Sequence, residues 1–203
     1  MIAIIDYGFG NLRSISKALT LLSIDNKITN SGNEIDNADS IVFPGVGSFG
    51  DCIKNLDDKK ILEPLKKSIK KGKPFLGICL GLQVLFEASD ESPGCIGMSL
   101  LEGSIKKIEF KTNNLKVPHM GWNQVEYKKT NLPLFKDIPN KSWFYFVHSY
   151  KSKIDNALTD SFSNYGEDFS SAISFENIYA TQFHPEKSGD LGLKVLKNFS
   201  KIS

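Results

Sequence analysis

Apolar residues fill Met1 to Ile5 without a break and stop at Asp6. A short continuous apolar run closed by a polar residue predicts a strand covered on both faces, here Met1–Asp6. Leu12, Ile15, Ala18, Leu19 and Leu22 then recur at helical spacing, predicting a helix over Leu12–Leu22. A weaker strand is predicted near Lys27–Thr29, and another at Ser40–Phe43, running into "PGVGSFG". Helical segments cover Asp51–Leu56 and Lys60–Lys71, and Pro74 leads into an apolar strand, Phe75–Ile78. Leu80 to Ala88 is predicted to be a helix with Leu82, Leu85 and Phe86 on its inner side. Strand and helix thus alternate through the first half, which implies a parallel sheet covered by helices on both faces.

The second half changes character. Short strands are predicted at Ser104–Phe110, Asn123–Tyr127, Ser142–Val147, Ser171–Phe175 and Ile178–Gln182, with Asn, Pro and Gly between them. A last helix runs from Leu191 to Phe199. The expected fold is α/β, an open and mainly parallel, flavodoxin-like sheet with additional short strands in the second half. Length and the lack of a repeat or low-complexity linker point to one domain over residues 1–203.

The net charge of +2 is too small to imply nucleic acid or an anionic membrane as partner. The densest basic patch, "LKKSIKKGK", reads as the solvated end of a helix. The N-terminus lacks a basic flank and reads as a strand rather than a signal peptide. The longest apolar run, Phe75 to Phe86, is shorter than the ~20 residues a bilayer span needs. Cys52, Cys79 and Cys95 cannot all pair and show no C-x-x-C spacing, which suits a reducing, cytoplasmic setting.

Ligands of an open parallel sheet bind beyond the carboxyl ends of its strands, where "DYGFGN", "PGVGSFG" and "GICLG" fall. A dinucleotide fingerprint fails at the first motif, because Arg13 stands where the third glycine belongs. "GICLG" has the form of a nucleophile elbow with Cys79 at its centre, although a small buried cysteine is the plainer reading of that residue alone. The glycines relieve crowding at a sharp strand-to-helix turn, the Leu80 N–H points at a developing oxyanion, and the helix start favours a thiolate. Such a nucleophile needs a histidine to move protons and a third group to orient it. His119, His148 and His184 are the candidates; no two have the close spacing a metal site uses, so no metal is expected. In "QFHPEKS", Pro185 holds His184 extended, and residues two apart then share a side, placing Glu186 beside it.

"GICLGLQVLFE" together with "FHPEKS" resembles the class I (triad) glutamine amidotransferases. "DYGFGNLRS", "PGVGSFGDC", "VPHMGWN", "FVHSY" and "QFHPEKSGDLGLKVLKNF" are similar, in order and spacing, to the glutaminase subunits of imidazole glycerol phosphate synthases within that family. The resemblance implies Cys79 as nucleophile, His184 as proton carrier and Glu186 as its orienter, with no cofactor. It implies oxyanion donors from Leu80 and the Gly45–Val46 peptide, and substrate contacts from Gly47, Gln83 and the Ser149–Tyr150 backbone. Glu91, two helical turns past Gln83, is a further candidate for the substrate's ammonium. The implied ammonia acceptor is a (β/α)8-barrel cyclase subunit, supplied in trans and faced by Asn11, Met120, Trp122 and Lys187. A paralogous role in amidating surface sugars and a non-catalytic binding module with a structural Cys79 are the competing expectations.

Overall fold

A computed structural model of the chain describes residues 1–110, 115–127, 129–155 and 157–202. Its first half runs β1 (Ile2–Ile5), α1 (Leu12–Leu21), β2 (Asn26–Thr29), α2 (Gly32–Asn37), β3 (Ser40–Phe43), α3 (Phe49–Asp58), α4 (Leu62–Lys70), β4 (Phe75–Ile78) and α5 (Leu80–Gln83). The second half contributes β5 (Ala88–Ser89), β6 (Ser104–Lys107), β7 (His119–Val125), β8 (Ser142–His148), β9 (Tyr150–Lys151), β10 (Thr159–Asn164), β11 (Asp168–Phe175), β12 (Ile178–Thr181) and α6 (Gly189–Phe199).

The main sheet has the order β10-β11-β12-β4-β3-β1-β2. From β12 to β2 every pairing is parallel, and β11 and β10 extend it antiparallel. Alternation along each strand divides the core between the two faces. Ile4, Val42, Leu76 and Ile78 pack under α1 and α6, against Ile15, Leu19, Val195, Leu196 and Phe199. Ile5, Ile41, Phe43 and Phe75 pack under α2, α3 and α4, against Ile35, Leu56, Leu65 and Ile69. Two small sheets, β5-β6-β9 and β7-β8, accompany the main one, and just past the end of β7 the chain is joined to β10 by an antiparallel bridge between Glu126 and Phe162. Because β1, β3, β4 and β12 are parallel, their carboxyl ends share one edge. The motifs beginning at Asp6, Pro44, Cys79 and Gln182 therefore converge there.

The predicted elements stand with altered bounds, and three departures have clear causes. The helix expected over Leu80–Ala88 is a single turn that ends at Gln83. The Val84 carbonyl that would continue it takes the Met98 N–H at 2.8 Å, and the Leu85 carbonyl takes those of Leu100 and Leu101 at 2.9 and 3.0 Å. Strand β10 has a polar sequence, TDSFSN, and pattern alone misses it. Its hydroxyls pair across the ladder, Ser161 with Ser171 at 3.0 Å and Thr159 with Ser170 at 2.7 Å, so a polar strand can be buried. The short helix α2 lacks a long apolar repeat; Ile35 is its one buried residue. No helix among the described residues is long and apolar enough to cross a membrane.

Candidate active site

Cys79 joins β4 to α5 at φ 53° and ψ −103°, a conformation that strains a residue with a side chain by about 1–3 kcal/mol. The surroundings over-determine it. Its N–H donates to the Thr181 carbonyl at 2.7 Å, which ties the turn to the end of β12. Gly81 lets the turn lie flat on β3, since a Cβ there would fall 2.5 Å from the Phe43 carbonyl oxygen. With α5 reduced to one turn, the helix field expected at the sulfur is small.

His184 follows β12 and is held by its backbone. Its N–H donates to Tyr145 O at 2.9 Å, and its carbonyl accepts from the Ser188 hydroxyl at 2.6 Å. Imidazole Nδ1 meets Glu186 Oε1 at 2.9 Å, with both side chains 1% exposed. Nδ1 therefore carries the proton that the carboxylate accepts, and Nε2, buried without a protein partner, is the nitrogen left for Cys79. Burial of the ring opposes its charge, but the Cys79 sulfur and the Glu186 carboxylate outweigh it and raise His184 to about 10. The ring is therefore an imidazolium when the sulfur beside it is a thiolate. Burial pushes the Cys52 and Cys95 thiols up.

The cleft over Cys79 is about 300 Å³ and is lined by Gly45, Val46, Gly47, Leu80, Gln83, Glu91, Pro118, Val147, His148, Ser149, Tyr150 and His184. All the substrate-binding candidates read from the sequence thus meet around one sulfur. Several arrive by an unexpected route. Glu91 is not on a helix continuing from Gln83; its carboxylate accepts the Phe49 N–H at 2.7 Å, at the start of α3. The Tyr150 carbonyl is already shared between Gln83 Nε2 (3.0 Å) and His148 Nδ1 (2.9 Å), and the Ser149 carbonyl accepts from Ile108. Gln83 spends its second N–H on Gln182, so only its Oε1 is left to accept from a ligand.

Gly45 lies against the elbow, where a Cβ would stand 2.2 Å from Ile78 O and 2.3 Å from the Leu80 N–H. No side chain fits there, β-branched or otherwise, without shifting the elbow. The Val46 N–H, the expected second oxyanion donor, instead donates to the Tyr7 hydroxyl at 3.2 Å, which in turn donates to Val46 O at 2.8 Å. Tyr7 escapes sequence reasoning because only the pairing of β1 with β3 brings it there.

Sequence spacing also fails to show that His119 and His148 are cross-strand partners in β7–β8. Their hydrogen bonds fix the tautomers. His148 Nδ1–H donates to Tyr150 O, so its Nε2 accepts from His119 Nδ1–H at 2.9 Å, and His119 Nε2 accepts from Asn123 Nδ2 at 3.3 Å. Burial holds His119 down at about 4 and, with the neighbouring His119, His148 at about 3. The unfolded chain, titrating near 6.5, binds protons below that pH that the fold does not, so stability falls on acidification. Moving from pH 7 to 4.5 should cost roughly 2 kcal/mol per ring. A His119→Gln variant should lose less, read as the urea midpoint against pH. Equal acid sensitivity in both proteins would contradict the neutral pair.

Outside the cleft, Met120 and Trp122 are 65% and 53% exposed on the outer face of β7. Trp122 meets Tyr145 edge-on at 6.2 Å, and Lys187 Nζ lies 5.7 Å from the centre of the same Tyr145 ring. Asn11 caps the neighbourhood of α1, accepting from the Ser14 hydroxyl at 2.7 Å. Phe9, 51% exposed and beside Gly47, adds an apolar group that the sequence reading omits.

A cysteine on a strained turn at the centre of a parallel sheet, facing a buried His–Glu pair from the next strand, is an arrangement for acyl transfer. The sequence profile of "Glutamine amidotransferase class-I" matches residues 3–202, and the chain belongs to this family. Among its relatives it is 48% identical over 202 residues, with all of both chains covered, to "Imidazole glycerol phosphate synthase subunit HisH" of Methanocaldococcus jannaschii. It is 44% identical over 203 residues, again with full coverage, to "Imidazole glycerol phosphate synthase subunit HisH 1" of Campylobacter jejuni. Among solved structures, a glutamine amidotransferase superposes with TM-score 0.75 at 16% identity, covering 98% of each chain. PurLQS from Thermotoga maritima gives TM-score 0.74 at 18% identity, over 98% of this chain and 96% of that one. At such identities the likeness is one of fold.

Proposed function

We propose that this chain is the glutaminase subunit of an imidazole glycerol phosphate synthase. It hydrolyses glutamine to glutamate and ammonia and passes the ammonia to a separate (β/α)8-barrel cyclase, which makes imidazole glycerol phosphate and an aminoimidazole carboxamide ribotide for histidine biosynthesis. Full-length relatives bearing that name support the pathway. The observation that carries the chemistry is the pairing of a strained Cys79 with the buried His184–Glu186 couple.

The Cys79 thiolate attacks the side-chain carboxamide carbon, and the carbonyl electrons move onto oxygen near the Leu80 N–H. That N–H opens α5 and has no acceptor within its own helix. His184 Nε2–H gives its proton to the departing nitrogen as the C–N bond breaks, leaving a glutamyl thioester and neutral imidazole. Nε2 then takes a proton from water, which attacks the thioester and releases glutamate. Glu186 holds the imidazole in the one orientation that serves both steps. The exposed Met120, Trp122 and Lys187 face, with Asn11, is where the cyclase docks.

A glutamine-mimicking chloroketone tests the site directly. It should alkylate Cys79 and spare Cys52 and Cys95, and excess glutamine should protect, as read by peptide mass spectrometry. Labelling at another cysteine with Cys79 untouched would sink the assignment.

A further inference from the structure

Gln182 is fully buried and belongs neither to the elbow nor to the His184–Glu186 couple. Its backbone is fixed, the N–H donating to Ser171 O at 2.9 Å. The orientation of its side chain follows from a chain of hydrogen bonds that begins at a group with no choice. The Tyr150 carbonyl can only accept, so Gln83 must turn its NH2 toward it, at 3.0 Å. The other N–H of that NH2 meets Gln182 at 3.3 Å, so Gln182 must present Oε1. Its own NH2 is left on the opposite side, with Nε2 3.6 Å from Cys79 Sγ.

We propose that Gln182 is a further catalytic residue of this site, whose Nε2–H donates to the Cys79 sulfur and favours thiolate over thiol. The consequence for turnover rests on the proposed role of Cys79 as nucleophile. The two sulfur contacts serve opposite protonation states. A thiol can donate to Val147 O, 3.7 Å away, whereas a thiolate has no proton for that carbonyl and accepts from Gln182 more strongly. With α5 only one turn long, this amide supplies a fixed dipole at the sulfur that the helix does not. The position was readable in principle, because Gln182, His184 and Glu186 stand two apart in sequence.

The test is the pH profile of Cys79 alkylation by iodoacetamide in the full chain, followed by peptide mass spectrometry. Gln182→Met keeps the length of the side chain and removes the donor. Its profile should move upward by about one pH unit from that of the unsubstituted protein, with the limiting rate at high pH unchanged. Gln182→Glu sets an acceptor against the sulfur and should move the profile at least as far. Superimposed profiles in a variant that still melts cooperatively would overturn the proposal. Should neither variant fold, the unsubstituted chain decides. The Gln182 side-chain amide resonance should titrate together with Cys79 and cease to do so once the sulfur is alkylated; a resonance indifferent to both would overturn it. Alkylation by iodoacetamide needs no glutamine, so failure here is separable from failure of the glutaminase reading, which the chloroketone tests.

Discussion

Glutamate release should fall by roughly four to six orders of magnitude in His184→Ala, measured with the cyclase partner present. Cys79→Ser should lose most of its activity with the fold intact, since a serine hydroxyl is far less ionised than a thiol and its oxygen gains little from an imidazolium. Glu186→Gln should lose less than His184→Ala and leave a measurable residue. Its amide still touches Nδ1, but no longer stabilises the charged ring or selects the tautomer that aims Nε2 at the sulfur. Thermal melts of all three should stay cooperative. If Glu186→Gln were the more damaging change, the His-Pro-Glu assignment would be wrong.

The second large effect concerns the partner. Adding the cyclase with its nucleotide substrate should raise glutamine hydrolysis by about 10²–10³-fold, the worth of one oxyanion donor, with little change in glutamine binding. The physical reason lies at Val46, whose N–H is taken up by the Tyr7 hydroxyl while its carbonyl is gripped by the same group. The Gly45–Val46 peptide must turn for its N–H to serve as the proposed oxyanion donor, and the exposed Val46 side chain lies at the cleft mouth where a partner can press on it. Tyr7→Phe releases both hydrogen bonds and should raise the rate of the lone chain while shrinking the stimulation. A lone chain already working at the full rate of the complex would end this account of the switch, and the assignment of Cys79, His184 and Glu186 would stand. An unchanged ratio in Tyr7→Phe would remove Tyr7 from it. Gly45, squeezed against Leu80, is unsuitable as a probe of the same motion.

Cys79, His184 and Glu186 are legible in the sequence because each sits in a local motif whose geometry the chain itself enforces. A glycine-flanked turn exposes the cysteine, and an extended His-Pro-Glu places acid beside base. The alternation of strand and helix likewise exposes the parallel sheet, since buried strands and amphipathic helices write different periods. What stays hidden depends on partners far away in the chain. The length of α5 is decided by N–H groups beyond Gly97, and the burial of β10 by hydroxyls on β11. Tyr7 and Val46 are 39 positions apart, and nothing near either one announces the other. Gln182 is the instructive middle case: the two-residue period that links His184 to Glu186 extends backward to it, but its meaning depends on Gln83 and a carbonyl at Tyr150.

The neighbours β4 and β12 lie far apart along the polypeptide, Cys79 and Gln182 being separated by 103 positions. During translation Cys79 therefore leaves the ribosome well before His184. At about 5–20 residues per second, the interval lasts several seconds. A nascent chain in that state cannot squander glutamine, but Phe75–Ile78, apolar throughout and paired on one side only by β3, offers its other side to any passing strand. Insertion of Ile178–Thr181 closes that edge and, in the same movement, brings His184 and Gln182 to the sulfur. Chains truncated before Ile178 should consequently be both inert and adhesive, so that in this molecule the capacity to react and the capacity to stay in solution are acquired together.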